Sequence, residues 1–306
     1  MDTTAKFLTD AELLDRIQGE KQKLPAGYLM AGIGAVLVVV GSVGFIGGDL
    51  FTFLLLILGA FLAVIGLARN KKIHDGIKTL LSDQLMPPVL AEIFDTAAHA
   101  PFGRLSNHIV CGIDLGLPTF NEISGSDHIH GTYRGLEVEM SDLELVHKER
   151  RRVRVNGKWQ TKETRTTVFK GQWMVCDFGK ELAADILLCE KGLISLSKSS
   201  VETENVAFNK KFLIQSQDGH SVFYILTPHM MEYILSMDEK GGGTTRMRFT
   251  REGKVHIAIH NNRDSLQIKA RDYGDLDKIR EQFRRDIRYM TDLIDELRLV
   301  DTLYRK

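Results

Sequence analysis

Two uninterrupted apolar runs constrain this chain more than any other feature. Tyr28 to Ile46 and Leu50 to Ala68 each extend 19 residues without an acidic or basic side chain, and only Gly47-Gly48-Asp49 divides them. At about 1.5 Å rise per residue each would span roughly 28 Å as a helix, close to the hydrocarbon thickness of a bilayer. A cleaved signal peptide would place a shorter apolar core nearer the start, whereas here 27 residues, several of them acidic, precede the first run. A helical hairpin buried in a soluble core seldom keeps two such runs free of charge. The sequence therefore predicts a membrane-spanning helical hairpin over residues 27–69.

The flanks orient that hairpin. Lys6, Arg16, Lys21 and Lys23 precede it, Arg69, Lys71, Lys72 and Lys78 follow it, and the loop offers only Asp49. By the positive-inside rule both ends face the cytoplasm. Cys111, Cys176 and Cys189 agree, because three widely spaced cysteines without a CxxC pair suit a reducing compartment better than a disulfide frame or a zinc site.

The predicted organisation is an N-terminal segment with a short amphipathic helix (1–26), the hairpin (27–69), a stalk helix (70–100) with a bend at Pro87-Pro88, and a cytoplasmic domain (101–306). Between Cys111 and Ala270 the pattern changes to short strand-like runs: IHGTYRG, LEVEMSDLELVH, TTVFKGQWMVCDF, DILLCE, KFLIQS, SVFYIL, TTRMRFT, KVHIAIH and SLQIKA. Asp218-Gly219 and Glu252-Gly253 fall between consecutive runs as hairpin loops would. Thr227-Pro228 reads as a helix opening for MMEYILSM, closed by Gly241-Gly242-Gly243. From Leu276 to Tyr304, Leu276, Ile279, Phe283, Ile287, Met290, Ile294 and Leu297 fall on one helical stripe, fit to pack within the chain or to pair with a second copy in a homo-oligomer. The fold class is α+β: a two-helix transmembrane hairpin, then a mostly antiparallel sheet with flanking helices.

TTVFKGQWMVCDF, followed later by FNKKFLIQSQDGHSVFYILTPHMMEYIL, resembles the bacterial domain-of-unknown-function 3137 family, whose members pair an "FKG…DF" strand with an "ILTP..M" block. The resemblance covers about Phe120 to Leu235. It implies a bacterial membrane-anchored protein with two N-terminal membrane helices, which together with the cytoplasmic flanks points to the inner membrane, and it brings no catalytic residues to carry over.

Local catalytic signatures are missing from the sequence, which has no GxSxG elbow, P-loop, GxGxxG, HExxH or kinase set. His128 and His130 stand two apart, on one face of a strand, and are the sequence's only candidate metal ligands. No cofactor is expected. The cysteines lie in apolar contexts, where a thiol packs rather than reacts.

HKERRRVRVNGKWQTKETRTTVFKGQW, from His147 to Trp173, stands out in a chain of zero formal net charge. Asn156-Gly157 suits a two-residue hairpin turn, which sets Val155 opposite Lys158, Arg154 opposite Trp159 and Arg150 opposite Glu163. Neither face of that hairpin is apolar enough to cover a core, so it should project into solvent. From Lys148 to Lys170, nine Lys/Arg face only Glu149 and Glu163, an excess of seven positive charges. Arg150, Arg151, Arg152, Arg154, Lys158, Trp159 and Lys162 are the candidate residues for binding an anionic surface. Anionic lipid headgroups and an acidic protein are the leading partners, nucleic acid ranks below them, and a solvated hairpin without a ligand stays open. The predicted function is a membrane-anchored binding or scaffold module; the alternative is a hydrolase-like enzyme whose active-site residues converge only on folding.

Overall fold

The computed structural model describes residues 7–45, 50–155, 158–177, 181–192 and 200–304. Gly47-Gly48-Asp49, the tip residues Asn156-Gly157 and the side chain of Lys158 lie outside the described residues. The chain forms two compact units, one of Met1–Pro88 with Ile268–Glu281, the other of Val89–Gln267 with Gln282–Lys306.

The first unit opens with α1 (Asp10–Lys21), started by a reciprocal cap in which Thr9 and Glu12 each hydrogen-bond the other's backbone. α2 (Leu24–Phe45) and α3 (Leu50–Ile93) contain the two apolar runs. Both are long and apolar enough to cross a membrane. They pack through glycines spaced seven residues apart. A Cβ on Gly34 would stand 2.5 Å from the Ala63 amide nitrogen and 2.6 Å from the Gly59 carbonyl, and one on Gly66 would stand 2.5 Å from the Gly27 carbonyl. Such contacts let two helix backbones approach closely.

α3 differs from the expected broken stalk: helix runs unbroken through Pro87-Pro88 to Ile93. Each proline removes a backbone donor. Around the pair, however, Leu85, Met86, Val89 and Leu90 are buried and hold the turn by packing.

The second unit is a nine-stranded sheet in the order β1-β2-β3-β4-β9-β8-β5-β7-β6, antiparallel at every pairing. Its elements in chain order are β1 (Thr96–Ala100), α4 (Asn107–Cys111), β2 (Glu122–Tyr133), β3 (Leu136–Val155), β4 (Lys158–Asp177), β5 (Ile186–Glu190), β6 (Ser200–Val201), α5 (Val206–Lys211), β7 (Phe212–Ser216), α6 (Gly219–Ile225), α7 (Pro228–Gly241), β8 (Thr244–Phe249), β9 (Lys254–His260) and α8 (Leu276–Tyr304). α8 begins within the first unit and ends within the second. The core gathers Leu105, Val110 and Leu115 from α4 and its flanks with Leu143, Leu145, Phe169, Trp173, Val175, Leu187 and Ala258 from the sheet. Thr227 caps α7 through its hydroxyl, and Phe283, Ile287, Met290 and Ile294 of α8 are buried within the chain.

Two runs read as strands are not strands. SVFYIL lies in α6, because the Asp218 carboxylate accepts from the amides of His220 and Ser221 and so starts a helix where a hairpin loop was expected. SLQIKA is irregular, although Leu266 and Ile268 are buried at strand-like spacing. Side chains satisfy part of its backbone: Ser265 and Leu266 donate to Asp142, and Gln282 donates to the carbonyls of Ser265 and Gln267. Glu252-Gly253 does stand in the β8–β9 turn, where Gly253 has φ 77°.

Candidate functional site

The β3–β4 hairpin is a strand pair with two halves. Its register is the expected one, with Arg154 opposite Trp159, Arg152 opposite Thr161, Arg151 opposite Lys162 and Arg150 opposite Glu163. β2 pairs with β3 only as far as Val146, and β9 pairs with β4 only from Gly171. Beyond those limits, among the described residues, the rungs from His147–Thr166 outward form a two-stranded ribbon. Its root is clamped by Asn121, whose side chain donates to the Lys148 carbonyl at 2.7 Å and accepts the Lys148 amide at 2.8 Å.

Acidic residues gather at the root. Lys148 meets Glu122 and Glu163, Arg150 meets Glu163 at 2.9 Å, Arg151 meets Glu149 at 2.6 Å, and Arg165 meets Glu122. Hydrogen bonds from Lys148 and then Arg150 hold the Glu163 carboxyl below the usual carboxylate range. The outer rungs bring Arg152, Arg154 and Trp159 into solvent, with Trp159 70% exposed. Arg151 and Lys162 stand directly opposite one another, a like-charge rung that costs stability on an open ribbon.

A second feature lies on the sheet beneath α4. A cleft of about 340 Å³ is lined by His108, His130, Glu137, Glu139, Asp177 and His256, with Cys176 at its wall. Trp173 Nε1 donates to His256 Nδ1 at 3.4 Å, which leaves the neutral ring's proton on Nε2. Burial, then the charges of Lys254 and Arg248, push the His256 imidazole down to about 4. Burial pushes the Cys176 thiol up to about 12, so no thiolate is available there at neutral pH. The contextual reading of the cysteines holds for Cys176 and Cys189, both buried, whereas Cys111, at the end of α4, is exposed.

His128 and His130 serve different neighbours. His128 Nε2 lies 3.2 Å from Glu139, while His130 lines the cleft. The acidic group that the fold does assemble is Asp127, Asp142 and Asp264, drawn from β2, β3 and the segment after β9. Burial, followed by the charge of Asp264, raises the Asp142 carboxyl to about 8. One local signal pointed to it: in VEMSDLELV, Asp142 falls on the strand face of the buried Val138 and Met140, where an apolar residue is expected. The cleft and the carboxylates join residues more than 100 positions apart, which no local motif could have joined.

Residues 167–299 match the family model described as protein of unknown function (DUF3137). The match runs from the inner half of β4 into α8, taking in both sequence blocks that carried the resemblance. The chain matches no curated protein. Among solved structures, the crystal structure of the mycobacterial trehalose monomycolate transport factor A, TtfA, is similar with a TM-score of 0.35 at 10% identity, covering 68% of this chain and 95% of that one.

Proposed function

We propose that this chain is a membrane-anchored binding module of the bacterial inner membrane whose β3–β4 ribbon engages anionic lipid headgroups. One observation supports the reading most directly: the ribbon extends past the sheet and presents Arg152, Arg154 and Trp159 to solvent, while the acids that pair with its cations lie at its root. An anionic surface would relieve the opposed Arg151 and Lys162, and each basic residue near such a surface contributes up to about 1 kcal/mol, screened by salt. An exposed tryptophan suits the headgroup level. α2 and α3 supply the anchor, with Val36, Val43, Leu50, Phe61 and Val64 turned outward as lipid contact requires. The basic flanks of the apolar pair support a topology with both termini on the cytoplasmic side, by the positive-inside rule.

The test uses the full chain in lipid nanodiscs. Trp173 has no exposed surface, so Trp159 is the tryptophan whose emission can respond to lipid. In discs containing anionic lipid, emission should shift to the blue and be quenched by brominated lipid. Both effects should vanish in neutral discs, at high salt, and when Arg150, Arg151, Arg152 and Arg154 are changed to Glu. Identical emission in neutral and anionic discs would remove the ribbon from membrane binding, and co-purification with the same variant then tests an acidic protein partner.

A second reading, a hydrolase-like enzyme at the membrane, is favoured by the cleft with its histidines and carboxylates. There the neutral His256, its Nδ1 engaged by Trp173, would offer its Nε2–H to a substrate oxygen, and Glu137 or Glu139 would act as the proton acceptor. Turnover of ester or phosphoester substrates that is lost on His256→Ala while the fold persists would put this reading first.

A further inference from the structure

Three aspartates meet inside the sheet unit. Asp127 occupies the β2 bulge between Ser126 and Ile129, with its backbone at φ 56° and its amide donating to the Pro101 carbonyl at 3.1 Å. A non-glycine residue held there is unusual and requires support from its surroundings. The support includes His99, whose Nε2 lies 3.3 Å from Asp127 Oδ1, both side chains being almost wholly buried. Asp142 arrives from β3 and Asp264 from the segment that leaves β9. One carboxylate oxygen of each residue lies within 4.8 Å of one from each of the others.

Asp142 supplies a second, independent observation. It is 5% exposed, and its Oδ2 accepts from the amides of Ser265 at 2.9 Å and Leu266 at 3.2 Å. Among the described residues no donor reaches its buried Oδ1. A buried carboxylate oxygen without a donor is costly, and a cation removes that cost. Three carboxylates without nitrogen or sulfur ligands suit a hard cation. Oxygen ligands about 2.3–2.6 Å from calcium stand up to roughly 5 Å apart across the ion, a range that includes the spread of these three oxygens. Magnesium, at about 2.0–2.1 Å, needs a tighter and more regular shell.

We propose that Asp127, Asp142 and Asp264 form a binding site for a hard divalent cation, calcium in preference to magnesium, which fastens the Asp264–Leu266 segment to β2 and β3. The chemistry is independent of the ribbon and of the cleft.

The test is thermal unfolding of the detergent-solubilised full chain, stripped with EDTA and then titrated with CaCl2 or MgCl2 at constant ionic strength. The wild-type midpoint should rise by about 5 °C at a hundredfold excess of CaCl2 over its Kd, and by less with MgCl2. Asp142→Asn, which keeps the shape and removes the ligand's capacity for negative charge, should ignore both salts. A wild-type midpoint unmoved by millimolar CaCl2, or an equal response in Asp142→Asn, overturns the proposal. Should Asp142→Asn not fold, Asp264→Asn carries the same comparison, and equilibrium dialysis with radioactive calcium should count one ion per wild-type chain; none overturns the site.

Discussion

The inner and outer halves of the β3–β4 hairpin share one backbone register, yet their tryptophans have opposite surroundings. Trp173 is fully buried, edge-on to Phe169 with ring centroids 5.9 Å apart, while Trp159 is 70% exposed. Both lie on β4, opposite residues of β3. The difference comes from what flanks the pair: β2 and β9 continue the sheet on either side of the inner half, and α4 with its flanking loops covers one face of it. Strand pairing alone therefore does not make a core. The same hairpin can be scaffold at one end and contact surface at the other.

The largest effect that would sharpen this contrast is Trp173→Ala, which should cost about 3–5 kcal/mol in denaturant unfolding because it leaves a large cavity among residues that cannot collapse into it. A loss below about 1 kcal/mol would mean that the inner half is no more a core than the outer. Next comes pH. His256, bonded to Trp173, has an ordinary pKa of 6.5 and about 4 in the fold. The folded state therefore resists its protonation, so its contribution is present in full above about pH 6.5 and is lost as pH falls through about 4. The loss should reach about 3 kcal/mol. His256→Asn, whose amide oxygen can still accept from Trp173, should flatten the acid slope in that window; an unchanged slope would assign it to other groups.

Gly171 marks the point on β4 where pairing to β9 begins, and it explains the glycine of the FKG block. Its φ is 152°, and a Cβ there would stand 2.0 Å from the Ile259 carbonyl. Gly171→Ala should cost about 1–3 kcal/mol as β9 is forced away, read by thermal unfolding. The smallest effect belongs to Trp159→Ala, within about 0.5 kcal/mol of wild type in stability. Its expected signature is weaker binding to anionic discs at unchanged stability. Equal destabilisation by the two tryptophan substitutions would break the comparison.

Much of the hairpin was legible because its information is local. A turn dipeptide fixes register, and register places every cross-strand pair from Val155–Lys158 to Val146–Thr167. The α8 boundaries and the Thr227 cap were readable for the same reason. What escaped reading depends on contacts distant in sequence. SLQIKA alternates like a strand, but Asp142, 123 and 124 positions away from Ser265 and Leu266, takes the amides that a ladder would need. SVFYIL has strand composition, but Asp218 had already committed the next turn to a helix. The proline pair signals a break that packing of Leu85, Met86, Val89 and Leu90 overrides. Of the candidate sites, the basic ribbon was visible as a run of charge. The cleft and the aspartate cluster were not, since apart from Asp142, an acid on an apolar strand face, each residue is unremarkable beside its sequence neighbours.

The continuity of α3 sets a reach. Its 44 residues make a helix of about 66 Å, more than twice the roughly 30 Å of a bilayer core. The charge-free run ends at Ala68, so if that run lies in lipid as proposed, the residues from Arg69 to Ile93 carry the same helix about 38 Å beyond it.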